Sequence, residues 1–174
     1  PYIINDKRSG IPVNAGYMEE LNIKTPVVDY INKNQKRTPV IWENVRLDVY
    51  THNLALEYIK KKKPKLVYIA YGETDDFAHG EKYDFYINSL NYTDNMIAEL
   101  WGYVQSNKFY KDNTYFIITT DHGRGLMEDW AGHGTSKASW LAILGPNIEK
   151  TGLVAGEFFT NQIAETIMQI SIRS

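Results

Sequence analysis

A chain of 174 residues with 43% apolar and 23% charged side chains has the composition of one ordinary globular domain, large enough to bury a core. Its formal charge of −2 gives no general pull toward nucleic acid or an anionic membrane, so neither is an expected partner. There is no cysteine, which excludes disulfide staples and thiolate metal sites and leaves histidine and carboxylate as the donors of any transition-metal site.

In chain order, Thr25-Pro26 supplies the cap and first-turn chemistry of a short helix running at most to Lys33-Asn34, because Thr38-Pro39 forces extended backbone soon afterwards. Val49, His52, Leu56 and Ile59 then fall on one helical stripe, and this helix discharges into Lys60 to Lys63 before Pro64 stops it. Leu66 to Ala70 is short and continuously apolar, as expected of a strand covered on both faces; it is too short to span a bilayer. Ile87, Leu90, Ile97, Trp101 and Val104 predict a second long helix. Tyr115 to Ile118 and Trp140 to Leu144 predict two more buried strands, and Thr160 is placed to cap a last helix carrying Ile163, Ile167 and Ile170. Helices alternating with buried strands predict an α/β fold, a three-layer αβα sandwich with a mostly parallel sheet. Ligands in such sheets gather beyond the carboxyl ends of the strands.

Those strand ends are where the chemistry concentrates. Y-G-E-T-D-D-F-A-H-G follows the first strand, T-T-D-H-G-R-G the second, and Gly132-His133-Gly134 lies a short loop further on. Three of the four histidines lie in these segments, each beside an aspartate or between glycines, which is the N/O donor chemistry of zinc and similar divalent cations. Taken singly, each motif is also an ordinary surface pair, turn or loop; together, at successive strand ends, they point to metal. Spacing does not choose between Asp75 and Asp76 as the partner of His79, since both share its helical face. Arg124 and Lys137 flank the motifs and are candidates for holding phosphate oxygens. His52, on an apolar stripe, is expected to be a core or boundary histidine, and Asp94 a buried structural carboxylate.

T-D-D-F-A-H-G, T-T-D-H-G and G-H-G, in this order and separated by a helix and a strand, resemble the C-terminal metal motifs of the alkaline phosphatase superfamily. Nucleotide pyrophosphatase/phosphodiesterases and cofactor-independent phosphoglycerate mutases look closest. The resemblance runs from about Val45 to Ile170, with N-Q-I-A-E-T-I-M similar to the superfamily's last helix. It implies two divalent metal ions, zinc first and manganese second. Asp75, His79 and His133 match the ligands of one, Asp121 and His122 those of the other, with Asp76 held in reserve. It also implies an upstream aspartate ligand and a Thr or Ser nucleophile at a helix N-terminus. No buried strand leading into such a turn lies between Pro1 and Glu43, so residues 1–174 are expected to form a C-terminal partial domain with no catalytic nucleophile of its own.

The resemblance implies a parent enzyme that hydrolyses a small-molecule phosphate mono- or diester, and it leans toward an extracytoplasmic compartment. A phosphomutase of the same superfamily and a non-catalytic module that keeps the fold are the alternatives. A sulfatase is less favoured, since its resemblance would rest on other metal ligands.

Overall fold

The computed structural model describes residues 10–14, 18–39, 41–43, 45–133 and 138–173, and the chain divides into two compact units, residues 1–100 and 101–174. Lys137 and Thr135 lie outside the described residues. No helix among the described residues is long and apolar enough to cross a membrane.

In the first unit, α1 (Pro26–Gln35) begins as its sequence predicts, with Thr25 as N-cap accepting the Val28 amide and proline in the first turn. The same Thr25 hydroxyl donates to Glu57 at 2.8 Å, tying α1 to α2 (Asp48–Lys62). Burial alone would raise the Glu57 carboxyl, but the Thr25 hydroxyl and the Lys60 ammonium outweigh it and hold the group below its usual value. Val28, Ile31 and Leu54 form the core between the two helices, flanked by Leu21, Ile23 and Tyr50. Each fully buried aliphatic side chain stabilises the fold by roughly 1.5–3 kcal/mol.

α2 ends as expected at the lysine run. Lys63 adopts a left-handed conformation (φ 49°), its amide donates to the Ile59 carbonyl, and Pro64 follows. The buried face of α2 differs from the apolar stripe: Val49 is half exposed, while Asp48 and His52 are buried with Leu54, Leu56 and Glu57. His52 is 1% exposed, a core histidine as expected.

Leu66 to Ala70 does not form the expected buried strand. No strand is assigned there, and Leu66, Val67 and Tyr68 are exposed. The segment leads instead to α3 (Glu73–His79) and α4 (Tyr83–Ser106). On α4, Ser89, Leu100 and Val104 are buried, whereas Leu90 is exposed; Asp94 is exposed too, so it is not the buried structural carboxylate expected.

In the second unit, β1 (Phe116–Thr119) and β2 (Leu141–Leu144) pair in the register Phe116↔Leu144 to Thr119↔Leu141. The pair is antiparallel, and among the described residues it is the whole sheet, so the expected mostly parallel sheet of a three-layer sandwich is not what these strands build. The cause lies in the connection. A parallel return needs a crossover, usually a helix, whereas the described residues between 120 and 140 contain only one 3₁₀ turn, Met127–Asp129. Trp140, Leu141 and Leu144 are exposed, because a two-stranded ladder does not cover both of its own faces. Gly145 turns directly under Tyr115: a Cβ there would lie 2.5 Å from the ring.

α5 (Gln162–Arg173) starts one residue later than a Thr160 cap would place it, and the Gln162 side chain accepts the Phe159 amide instead. Ile163, Ile167 and Ile170 share its half-buried face, as predicted. The architecture is of α/β type, with five helices and one small antiparallel sheet among the described residues.

Candidate metal centre

Each unit carries one part of the expected donor set. In the first, α3 is a short helix whose inner face holds Ala78, fully buried, and Phe77, packed at 4.5 Å edge-on to Trp42 and at 5.3 Å stacked on Phe85. With that face committed, Asp75 and His79 are left about half exposed, one helical turn apart, with Nε2 of His79 3.3 Å from Oδ2 of Asp75. It is Asp75, not Asp76, that meets His79. Burial, reinforced by the Asp75 carboxylate, raises the Asp76 carboxyl above its usual value, with His79 opposing.

In the second unit, Asp121 and His122 follow β1 after one intervening residue, Thr120. The His122 amide donates to its neighbour's Oδ1 at 3.0 Å, and Nε2 of His122 lies 3.6 Å from Oδ2 of Asp121. Nδ1 of His122 lies 2.8 Å from the Gly123 carbonyl oxygen. A carbonyl only accepts, so Nδ1 carries the proton, and in the neutral ring Nε2 is left with the lone pair through which it could bind a metal. Antiparallel pairing brings both ends of the 120–140 loop to one edge of the ladder, where the Thr119 hydroxyl donates to the Trp140 carbonyl at 2.8 Å. The loop then folds back so that the His133 and His122 rings stand 4.1 Å apart.

Arg124 donates to the Ala131 carbonyl at 3.5 Å, a long bond across the same loop. Gly125 passes so close to Asp129 that a Cβ would sit 2.6 Å from its carbonyl oxygen, which only glycine permits. The Thr120 hydroxyl is buried with no hydrogen-bond partner among the described residues.

Imidazole nitrogens and carboxylate oxygens a few ångströms apart, partly open to solvent and without thiolate, fit a hard-to-borderline divalent cation such as zinc.

One polar cluster was not foreseen. The α2 N-terminus has no side-chain cap of its own; its Asp48 amide donates to Oε1 of Glu73 at 2.9 Å. In return the Asp48 carboxylate accepts the Gly72 and Glu73 amides at 2.8 and 3.0 Å. Two helix N-termini thus cap each other. One turn along α2, Nδ1 of His52 lies 2.9 Å from the Tyr71 hydroxyl and Nε2 lies 3.2 Å from Glu99. An ionised Glu99 only accepts, so in the neutral ring Nε2 donates to it and Nδ1 accepts from Tyr71. Burial, with the Asp48 and Glu99 charges adding to it, raises the Tyr71 phenol and keeps it a donor. The available signal was an aspartate four residues before a histidine on an otherwise apolar helix face.

Burial also pushes the Asp48 carboxyl up to about 6, against the pull of the two amides it accepts from and with the charges of Glu73 and Asp76 adding to the rise. The folded chain therefore keeps a proton that the unfolded chain has already released between about pH 4 and pH 6. Stability contributed through this group is fully present below pH 4 and is lost as pH rises through about 6, by up to about 3 kcal/mol. Urea unfolding at pH 4.0 and 7.5 should show the difference between Asp48→Asn and wild type moving in the variant's favour by roughly 2–3 kcal/mol at the higher pH. A pH-independent difference would contradict the assignment.

A family model described as Sulfatase matches residues 25–153, well over half of the chain and the whole span from the Thr25 cap past β2. This match sets the class: an alkaline phosphatase superfamily protein of hydrolase type. The chain belongs to the Sulfatase family, whose members are generally enzymes and metal-dependent. No curated protein and no solved structure matches it.

Proposed function

We propose that the chain is the metal-binding portion of a two-metal hydrolase that cleaves a phosphate mono- or diester of a small molecule. Asp75, His79 and His133 hold one cation, and Asp121 with His122 the other. The observation that carries this reading is one Asp–His couple in each unit, with nitrogen and oxygen 3.3 and 3.6 Å apart, and in the second unit a third histidine ring 4.1 Å from that of His122.

Bound there, divalent cations would polarise the ester and stabilise charge on the transferring group. The chain's own residues orient: the Gly123 carbonyl fixes the His122 tautomer, Phe77 and Ala78 hold α3 so that its donors face outward, and Arg124 offers planar donors to the ester's oxygens. On this reading a Thr or Ser nucleophile and one more aspartate ligand come from sequence beyond these residues.

A sulfate-ester hydrolase is the second reading, favoured by the family match itself. Paired chromogenic phosphate and sulfate esters, tested on the full-length protein with zinc, manganese and magnesium, separate the two. Turnover of sulfate esters alone would overturn the first.

Metal titration of the 174-residue chain tests the ligand assignment directly. Zinc favours four ligands, and the chain offers three to one site but two to the other. Calorimetry should therefore find one tighter site, lost in His133→Ala, and at most weak binding at Asp121 and His122. Two equal, strong sites would contradict the division of ligands.

A further inference from the structure

We propose that Asp48 and His52, one turn apart on α2, are positioning residues that clamp the segment Tyr71–Glu73 and so aim α3, with Asp75 and His79, at its cation. The inference rests on the assignment of those two residues as metal ligands.

α3 is seven residues long, too short to hold its own direction in water. Phe77 and Ala78 hold its underside, but side-chain packing alone leaves such a helix able to rock about its axis. What fixes its first turn is a set of polar contacts that all come from α2. The Asp48 carboxylate takes the two amides that open α3, Glu73 returns a carboxylate to the first amide of α2, and His52 holds the hydroxyl of the residue just before. Asp48 and His52 are 3% and 1% exposed, so water does not compete for these bonds.

The donor arithmetic closes as well. Asp48 accepts two amides, Glu73 accepts one, and His52 accepts from the Tyr71 hydroxyl at Nδ1 while donating to Glu99 from Nε2, so each charge or dipole meets a fixed partner. Such an arrangement transmits position rather than mere cohesion, because it constrains the angle at which α3 leaves Gly72 and hence where Oδ2 of Asp75 and Nε2 of His79 lie. Buried carboxylates cost stability when ionised, which a purely structural contact at this place would avoid with apolar residues.

The test uses the 174-residue chain, zinc affinity by calorimetry and the visible absorption of bound Co²⁺, whose band position and intensity report ligand geometry. Asp48→Ala should weaken zinc binding about 10–100-fold, the range for groups that orient metal ligands, and should shift or bleach the cobalt band while helix content is kept. Asp48→Asn, which retains one acceptor oxygen, should give a smaller loss, as should Tyr71→Phe. Glu57→Gln is the control. It disturbs a buried carboxylate of the same helix that contacts Thr25 and Lys60 rather than the α3 entry, so it should lower the melting temperature and leave zinc affinity within about twofold of wild type.

Unchanged affinity and spectrum in Asp48→Ala, with binding abolished in Asp75→Ala, would overturn the proposal. Equal losses in Glu57→Gln and Asp48→Asn would overturn it also, by showing a general effect of destabilisation. Binding that survives both Asp75→Ala and His79→Ala would remove the ligand assignment itself, and the clamp's purpose with it.

Discussion

On its own, the 174-residue chain is expected to hydrolyse chromogenic phosphate mono- and diesters no faster than the same concentration of zinc or manganese free in solution. The superfamily's displacement needs a nucleophile held in line with the leaving group, and positioning of that kind is worth about 7–11 kcal/mol in the best intramolecular models, or roughly 10⁵- to 10⁸-fold in rate. On the proposed reading this chain supplies the cations' ligands without that nucleophile. The hydroxyl of Thr119, the nearest threonine on β1, is already committed to the Trp140 carbonyl. Turnover by the isolated chain would contradict the division of labour. Thr120, buried without a hydroxyl partner among the described residues, would be the first residue to replace.

In the full-length protein the corresponding expectation is a large loss on Asp75→Ala or His122→Ala. Groups that merely orient a metal ligand are worth about 10–100-fold, so removing a ligand should cost more than about 100-fold in kcat/KM. On the proposed division of ligands the two replacements act on different cations, and each leaves the other Asp–His couple intact. If the two cations clamp opposite oxygens of one displacement, the double variant should be little worse than either single one, since residues acting as a unit are not additive. Full activity in either variant would remove that residue from the metal set. A full-length protein inert toward both phosphate and sulfate esters would shift weight to the mutase or binding-module readings.

Local chemistry was legible in the sequence where it acts locally. Thr25-Pro26 opens α1, the lysine run and Pro64 close α2, and the isoleucine stripe of α5 lies where a 3.6-residue period puts it. The Asp–His couples were legible for the same reason, because both partners sit within one helical turn or one loop. Spacing left Asp75 and Asp76 open, the superfamily resemblance favoured Asp75, and the side-chain geometry pairs His79 with Asp75.

Strand direction was not legible. An apolar run announces burial without naming its partner or orientation, and Leu66 to Ala70 has the composition of β1 and β2 without being paired. The mutual capping of Asp48 and Glu73 was invisible for a different cause. Its partners are 25 residues apart, and neither end leaves a periodic trace.

The exposed run after Pro64 has a dimension as well as a composition. α2 is 15 residues long and therefore spans about 22 Å. The chain leaves its far end at Lys63 and must be back at its near end by Gly72, where Asp48 receives it. A helix over those residues would advance only about 1.5 Å per step and fall well short, whereas extended chain at about 3.3 Å per step reaches with about two residues to spare. The run is thus a ruler matched to the helix beside it. Lengthening it by a residue or two only adds slack, but removing three or more from 64–70 would leave it too short for Gly72 to reach Asp48, and α3 would come away from α2 with Asp75 and His79 both unaltered.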